Sequence, residues 1–371
     1  MMLFHRVPLC LLLTTPLWSQ LPRSHIEARP PHHVYPSANP GQPNGLAPQD
    51  IKAFYGIDRL TNQGQGQTIA IINAYDHPAI EADLATFSAQ YGLPACTGAN
   101  GCFRKVYQNG AKPTANTGWA LEISLDVEWA HAIAPRAKIL LIEAQSSSLA
   151  DLFSAVDIAV RSGAPVVSMS FGITEFQGVG YFDNHFNVRN VVFTAASGDN
   201  GHGVEYPAAS PFVVGVGGTV ANLASGAEVA WAGSGGGQSI AFVQPGYQMG
   251  VQNSGRRGVP DVAYHAEPNT GFAVFSSPNG GWLQVGGTSA GTPQWAALFA
   301  IANSMRAAAK KFPLNVVGTD LYQIVGDYRE IATGANGNCG AICSAGVGYD
   351  FITGLGAPRA ELLVPALVAM P

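Results

Sequence analysis

Short apolar runs alternate with helical patterns along most of this 371-residue chain, and that alternation restricts the fold more than any other feature. Residues 68–74, 137–143, 165–171, 191–196 and 212–216 read as strands that are apolar on both faces. Segments 79–91, 118–134 and 149–162 carry helical spacing between them. A strand with two apolar faces needs cover on both. The pattern therefore predicts an α/β fold: a largely parallel central sheet with helices on both faces, joined by right-handed crossovers. With 47% apolar residues, a chain of this length can bury one sizeable core. No internal repeat interrupts the series.

Composition narrows the partners. Only 12% of residues are charged and the formal net charge is −5, which leaves no basic patch for nucleic acid. Residues 1–19 read as a secretory signal peptide: His5 and Arg6 precede a short apolar run, and Ser19 offers a small residue for cleavage. That run is too short to span a bilayer, so no membrane association is expected after cleavage. The expected location is secreted, either extracellular or periplasmic. Residues 20–45 are rich in Pro and Gly and read as a disordered linker without a folded prodomain, followed by one domain over 46–371. With Cys10 removed, Cys96/Cys102 and Cys339/Cys343 form two close pairs. In an exported protein such pairs favour local disulfides, and no histidine lies near either pair in sequence to suggest zinc.

Three segments carry candidate chemistry. The first is Val285-Gly-Gly-Thr-Ser289-Ala-Gly-Thr-Pro293, where a glycine-rich turn places Ser289 at a helix start with backbone N–H groups pointing in front of it. A capped helix with no chemistry is the alternative. In the second, Glu122 and Asp126 are four apart on an apolar helix, so they share one face and are expected to share a proton if buried. A solvated acidic face is the alternative. Third, Asp199 follows the strand 191–196 in Ser197-Gly-Asp199, at the strand end where parallel α/β sheets present functional groups; capping a turn is its alternative. His131 reads as a packed or capping residue rather than a base. Glycines 233–237 are expected to line a cleft where an extended peptide pairs with backbone.

Together these segments resemble the sedolisin family, serine-carboxyl peptidases with the subtilisin fold. The likeness covers about residue 46 to the C-terminus. It includes Glu122-x-x-x-Asp126, Ser168-Met-Ser-Phe-Gly172, Ala196-Ser-Gly-Asp199, Gly287-Thr-Ser-Ala-Gly-Thr-Pro293 and Asp350-Phe-Ile-Thr-Gly-Leu-Gly-Ala-Pro358. The resemblance implies that Ser289 is the nucleophile, Glu122 the general base, Asp126 its orienting partner and Asp199 a protonated oxyanion donor. It implies substrate contacts at Ser170, Phe171 and Gly172, with Phe171 where the family often has Trp. It also implies one Ca²⁺ site at Glu330, Ile331, Gly346, Gly348 and Asp350, with Glu330 where Asp is usual. No histidine-triad motif is present: Asp76-His77-Pro78 and His202-Gly203 do not match one. The reading is an acid-active endopeptidase acting on peptide or protein substrates, expected as a monomer. A tripeptidyl-type exopeptidase and a non-catalytic binding protein that kept the fold remain open alternatives.

Overall fold

The structure is a computed structural model that describes residues 26–35, 39, 41–315, 317–324 and 326–371. The signal-peptide stretch lies outside the described residues. In chain order come β1 (His33–Tyr35), α1 (Pro48–Phe54), β2 (Thr68–Ala74), α2 (Ile80–Tyr91), β3 (Phe103–Tyr107), α3 (Thr117–Ile133), β4 (Lys138–Ala144) and α4 (Leu149–Arg161). Next are β5 (Val166–Met169), β6 (Ile173–Thr174), β7 (Val192–Ala196), β8 (Glu205–Tyr206), β9 (Val214–Asn222) and β10 (Ala227–Ala230). The remainder includes β11 (Gly237–Val243), β12 (Arg256–Val259), β13 (Val262–His265), β14 (Phe272–Ser276), β15 (Gly281–Gly286), α5 (Thr288–Ala308), α6 (Val317–Gln323) and α7 (Ala360–Ala369).

The main sheet runs β10-β9-β7-β5-β2-β4-β3, with β13 also on β9. Every pairing in it is parallel except the β10 edge. Helices cover both faces, as the two-sided apolar strands require. On one face α2, α3 and α5 pack against Ile69, Ile71, Leu141 and Val166. On the other, Leu152, Phe153 and Val156 of α4 pack with Ile72, Ile142 and Phe193. Each such fully buried side chain contributes about 1.5–3 kcal/mol.

Two helices decide the site. α3 starts at Asn116, whose side-chain oxygen accepts the Trp119 N–H at 3.1 Å, a cap that satisfies one orphan donor. From Trp119 to Ile133 every residue is buried. α5 starts behind Gly287, which has φ 117°, a conformation that favours glycine, and its buried stretch runs from Thr288 through Ser304. Pro293 lies within α5 and has no N–H to give the Ser289 carbonyl four residues back. The Ser170 hydroxyl lies 3.4 Å from that oxygen instead.

The structure departs from the sequence reading in three places. The strand expected at 165–171 stops at Met169, because Ser170, Phe171 and Gly172 leave the sheet. The strand expected at 212–216 extends to Asn222; Gly217 and Gly218 had masked it, and both sit so tightly against Ile352, Pro260 and Trp231 that a Cβ would collide. The segment expected as disordered linker is ordered over residues 26–35 and includes β1, which pairs with β15. Its positions 20–25, 36–38 and 40 lie outside the described residues.

A buried ion pair ties the C-terminal third to the sheet. The Arg257 guanidinium forks onto Asp261, with Nη1 at 2.8 Å from Oδ1 and Nη2 at 2.6 Å from Oδ2. Asp261 also accepts from the Gly215 N–H and the Tyr322 hydroxyl. Removing one partner of such a pair leaves a bare buried charge, which costs about 3–5 kcal/mol. Arg257→Ala is therefore expected to lower the melting temperature by many degrees, as read by thermal unfolding. A shift of a degree or less would contradict this account.

Candidate active site

α3, the end of β5, the loop after β7 and the start of α5 bring Glu122, Asp126, Ser170, Asp199 and Ser289 together beneath the 26–33 segment. Of these, Asp199 lines a groove of about 690 Å³ whose walls include that segment and Gly172, Ile173, Thr174 and Phe176. Glu122, Asp126 and Ser289 are fully buried. Asp126 is held at both oxygens by neutral donors: the Ser170 hydroxyl donates to Oδ1 at 2.7 Å, and Asn73 Nδ2 donates to Oδ2 at 2.9 Å. Burial pushes the Glu122 carboxyl up to about 8, opposed by the nearby polar groups of Ser289, Asp126 and Ser170, although the Ser289 hydroxyl and Glu122 Oε1 themselves have no hydrogen-bond partner. Burial first, then the charge of Glu122, raises Asp126 well above the ordinary carboxylate range. Two acids so close in an apolar setting titrate as a pair.

Asp199 stands on the other side of Ser289. Its Oδ1 accepts the Thr288 N–H and the Thr288 hydroxyl, each at 2.8 Å, while Oδ2 has no hydrogen-bond partner. Burial raises this carboxyl well above its ordinary value, so Oδ2 is the natural seat of a proton. The Ser289 N–H donates at 3.3 Å to the carbonyl oxygen of Pro31, which comes from the N-terminal segment. A Cβ on Gly287 would lie 2.9 Å from His32 Cα and closer still to the Pro31 oxygen and Asp199 Oδ2. The missing side chain of Gly287 thus marks a small space where one carbonyl oxygen faces a backbone N–H and a carboxylic acid. That is the chemistry of an oxyanion site.

The other sequence-derived residues fall differently. Gly172 lines the groove and exchanges both backbone hydrogen bonds with Arg29 at 3.1 Å. Ser170 turns its hydroxyl to Asp126 rather than into the groove. Phe171 is fully buried in the second core. The loop 233–237 does not line the groove; Gly235 packs against Ser197 and accepts its hydroxyl at 2.8 Å, supporting the turn that carries Asp199. Both cysteine pairs are disulfide-bonded, Cys96–Cys102 and Cys339–Cys343. Histidines nevertheless stand beside them: His131 at the first pair and His202 at the second, a proximity the fold creates and sequence spacing hid. His131 otherwise packs as expected, its Nε2 meeting the Pro94 carbonyl at 2.9 Å.

Asp76 and His77 have structural partners. Asp76 pairs with Lys105 at 2.8 Å and Lys112 at 3.1 Å, and His77 bonds Ser124 at 3.0 Å. Among the described residues no histidine hydrogen-bonds the Ser289 hydroxyl. The groups missed by sequence are Asn73, His32 and His33. His32 Nδ1 meets Glu122 Oε2, and His33 Nε2 lies 3.4 Å from Asp199 Oδ2. No local pattern announces contacts made across 90 residues.

At the proposed metal residues, Glu330 and Asp350 both meet the 346–350 turn, while Ile331 is buried in the first core. The Gly348 N–H donates to Glu330 Oε1 at 2.7 Å, and the Gly346 N–H donates to Asp350 Oδ2 at 3.3 Å. Asp350 also accepts from Ile352, Thr353 N–H and the Thr353 hydroxyl, each at 2.8 Å. Two carboxylates are hard-oxygen ligands of the kind calcium takes, but N–H and hydroxyl donors already meet both Asp350 oxygens and Glu330 Oε1, so an ion would have to displace those bonds.

The profile of the Subtilase family matches residues 110–312. The chain is 33% identical over 375 residues to kumamolisin from Bacillus sp. (strain MN-32), covering 88% of this chain and 64% of that protein. It is 28% identical over 373 residues to tripeptidyl-peptidase 1 of Dictyostelium discoideum, covering 86% and 58%. It thus spans less than two thirds of either relative. The solved Pseudomonas sedolisin, a serine-carboxyl proteinase complexed with two molecules of pseudo-iodotyrostatin, superposes with TM-score 0.72 at 25% identity, covering 88% of this chain and 98% of that one. The chain belongs to the subtilase family and, within it, to the sedolisins.

The shifted acids give a test of the site's electrostatics. Glu122 and Glu143 are raised to about 8 and Glu205 to about 7, so the folded state holds protons that the unfolded chain releases above its ordinary carboxylate pKa. Their contribution is whole below that ordinary value and is lost as pH rises through the folded value. The buried histidines, lowered to about 4 at His32 and His265, act oppositely but only below 6.5. Between pH 8 and 6.5 stability is therefore expected to rise as pH falls, by up to about 2 kcal/mol for Glu122 alone. Denaturant unfolding across that window measures it. Stability that falls with decreasing pH there would refute the assignment.

Proposed function

We propose that the chain is an endopeptidase that hydrolyses peptide bonds in acid through Ser289, Glu122, Asp126 and Asp199. The Ser289 oxygen attacks the scissile carbonyl carbon while Glu122, with the acid pair's shared proton on Asp126, takes the serine proton. The oxyanion is held by the Ser289 N–H and the Asp199 carboxyl. Collapse expels the amine, which receives the proton from Glu122, and leaves an acyl-Ser289 ester. Water, deprotonated by Glu122, then frees the acid and restores the serine. Asp126, fixed by Ser170 and Asn73, orients Glu122. The observation that carries this reading is the Pro31 carbonyl seated between the Ser289 N–H and the Asp199 side chain.

The same segment favours cleavage inside chains over removal of tripeptides. Counting back from Pro31, Arg29 is the third residue, yet the chain continues beyond it through Ala28, Glu27 and Ile26. Ala28 donates to the Ser147 carbonyl at 2.8 Å, and Ile26 accepts from the Leu149 N–H at 3.0 Å. A tripeptidyl enzyme needs that end closed to hold a free amino terminus; here the groove has backbone partners past the third position.

Hydrolysis of an unstructured protein should be acid-favoured, because Asp199 donates only while protonated and loses that role as pH rises through its raised value. Ser289→Ala and Glu122→Gln are each expected to abolish it, and Asp199→Asn to lower kcat by about 10²–10³-fold. Mass spectrometry of products should show internal fragments. A ladder of tripeptides would establish the exopeptidase instead, and no cleavage at any pH by the folded chain would favour the binding-protein reading. No helix among the described residues is long and apolar enough to cross a membrane.

A calcium ion is proposed at the C-terminal turn, held by the Glu330 and Asp350 carboxylates and the carbonyls of Ile331, Gly346 and Gly348. The ion would fix the turn and takes no part in the proton transfers. Chelation is expected to lower the melting temperature by several degrees, with calcium restoring it; an unchanged melting temperature would remove the ion from this account.

A further inference from the structure

Cys96 and Cys102 are bridged, and His131 of α3 stands beside them, with ligand atoms of all three within 4.8 Å of one another. His131 is fully buried, and its two nitrogens are in different states. Nε2 lies 2.9 Å from the Pro94 carbonyl; a carbonyl only accepts, so Nε2 carries the hydrogen. Nδ1 is then a bare acceptor, and it has no hydrogen-bond partner. A buried acceptor left without a partner costs stability, and neither disulfide sulfur has a hydrogen to give it. Burial lowers this imidazole below its ordinary value, against the pull of the Pro94 bond, so the ring stays neutral. A neutral ring that donates one N–H to a backbone carbonyl and keeps its other nitrogen free is in the state of a metal-ligating histidine.

The loop holds both cysteines in place without help from the bridge. Asn100 donates to the Ala95 carbonyl at 2.8 Å and accepts the Thr97 and Cys102 N–H groups at 3.1 and 3.0 Å. The Gly98 N–H donates to Glu81 Oε1 of α2 at 2.8 Å, and the Cys102 carbonyl accepts the Ile139 N–H of β4 at 2.8 Å. A bridge between residues six apart removes little chain entropy, so opening it leaves two thiols already positioned. The two sulfurs differ in access. Cys96 is 1% exposed in the first core. Cys102 is half-buried and lines a groove of about 370 Å³ with Asn100, Arg136 and Ala137, where a small thiol can reach it.

We propose that Cys96, Cys102 and His131 form a binding site for a divalent cation of the class of Zn²⁺ once a small thiol has reduced the bridge. It stands apart from the peptidase reading. One thiol attacks Cys102 Sγ, and the S–S bond breaks with its electron pair going to Cys96. A second thiol then frees Cys102. In sum, the bridge and two reductant thiols give two cysteine thiols and one reductant disulfide. The ion takes both sulfurs as thiolates and releases two protons. Bonds of about 2.3 Å to sulfur and about 2.0 Å to nitrogen suit ligand atoms gathered this closely, on cysteines whose Cα atoms are 4.8 Å apart. Three protein ligands leave a fourth place for water. The bridge closes the loop only on itself, whereas the ion also fastens it to α3, the helix of Glu122 and Asp126. The trio of His202, Cys339 and Cys343 does not share this argument, because His202 and Cys339 are exposed.

The test uses the full chain carrying Cys10→Ser/Cys339→Ser/Cys343→Ser, which leaves Cys96 and Cys102 as its only cysteines. Co²⁺ is the probe, because thiolate ligation gives it charge-transfer absorption. After reduction and removal of the reductant, the chain should bind one Co²⁺ with those bands, and Zn²⁺ should displace it. The oxidised chain should show no such bands. Adding Cys96→Ser/Cys102→Ser should remove them, and adding His131→Gln should weaken Co²⁺ binding at least tenfold. Zn²⁺ should raise the melting temperature of the reduced chain by several degrees and leave that of the oxidised chain unchanged. Melting of the oxidised His131→Gln chain checks that it is folded. Where it is not, nitrogen NMR of the parent takes its place: the His131 Nδ1 resonance should shift on adding Zn²⁺, and an unmoved resonance would overturn the site. A bridge that stays closed in the folded chain under excess thiol would also overturn it, as would a reduced chain without the bands. Bands of equal strength in His131→Gln would mean that the two thiols act alone, which refutes the three-ligand site.

Discussion

Removing two carboxyl groups from water on a single helix is the constraint on which the rest of this structure depends. Glu122 and Asp126 sit at zero exposure, where an ionised carboxylate is strongly disfavoured. The fold keeps them by raising their affinity for a shared proton and giving Asp126 two neutral donors. That requires α3 to be enclosed on every side, which explains why it lies against α2, α5 and β14 instead of at the surface. The apolar sequence of α3 therefore serves both packing and chemistry. The same residues that contribute core also supply the low-dielectric setting that raises the acids.

α5 adds the second half. Its first turn needs N–H groups directed at the groove, a side chain-free residue ahead of it and a serine as its second residue. Gly287 meets the second demand, and Pro293 leaves the Ser289 carbonyl without a helical partner, within reach of the Ser170 hydroxyl that also holds Asp126. One hydroxyl thus lies between the acid pair and the nucleophile's own backbone. Thr288 then fixes Asp199 through both its N–H and its hydroxyl. The site is a joint between two buried helices, closed by short polar side chains.

Much of this was legible in the chain. The sheet followed from apolar strands, and the helix carrying Glu122 and Asp126 was readable from its spacing, with Thr117–Ile133 observed where 118–134 was expected. The resemblance pointed to Ser289, Glu122, Asp126 and Asp199, and the structure brings the four together around the start of α5. What could not be read were contacts between distant segments that have no local signature: Asn73 on Asp126, the glycines inside β9, and the histidines beside each disulfide. The proline-rich segment misled for a related reason. Its composition disfavours a core of its own, yet it finds backbone partners at Gly172 and Ser147 once the sheet has formed.

Burial shifts acids and imidazoles in opposite directions, and here both lie in one place. A low-dielectric groove raises Glu122 and Asp199 so that they hold protons, and the same groove lowers His32 so that it refuses one. A neutral imidazole is a good acceptor for a protonated carboxyl, so the two shifts fit each other at neutral pH. Asp199 thus keeps a proton to donate, while the Glu122–Asp126 pair, sharing one between them, leaves Glu122 Oε1 without a hydrogen-bond partner and open to accept the serine proton.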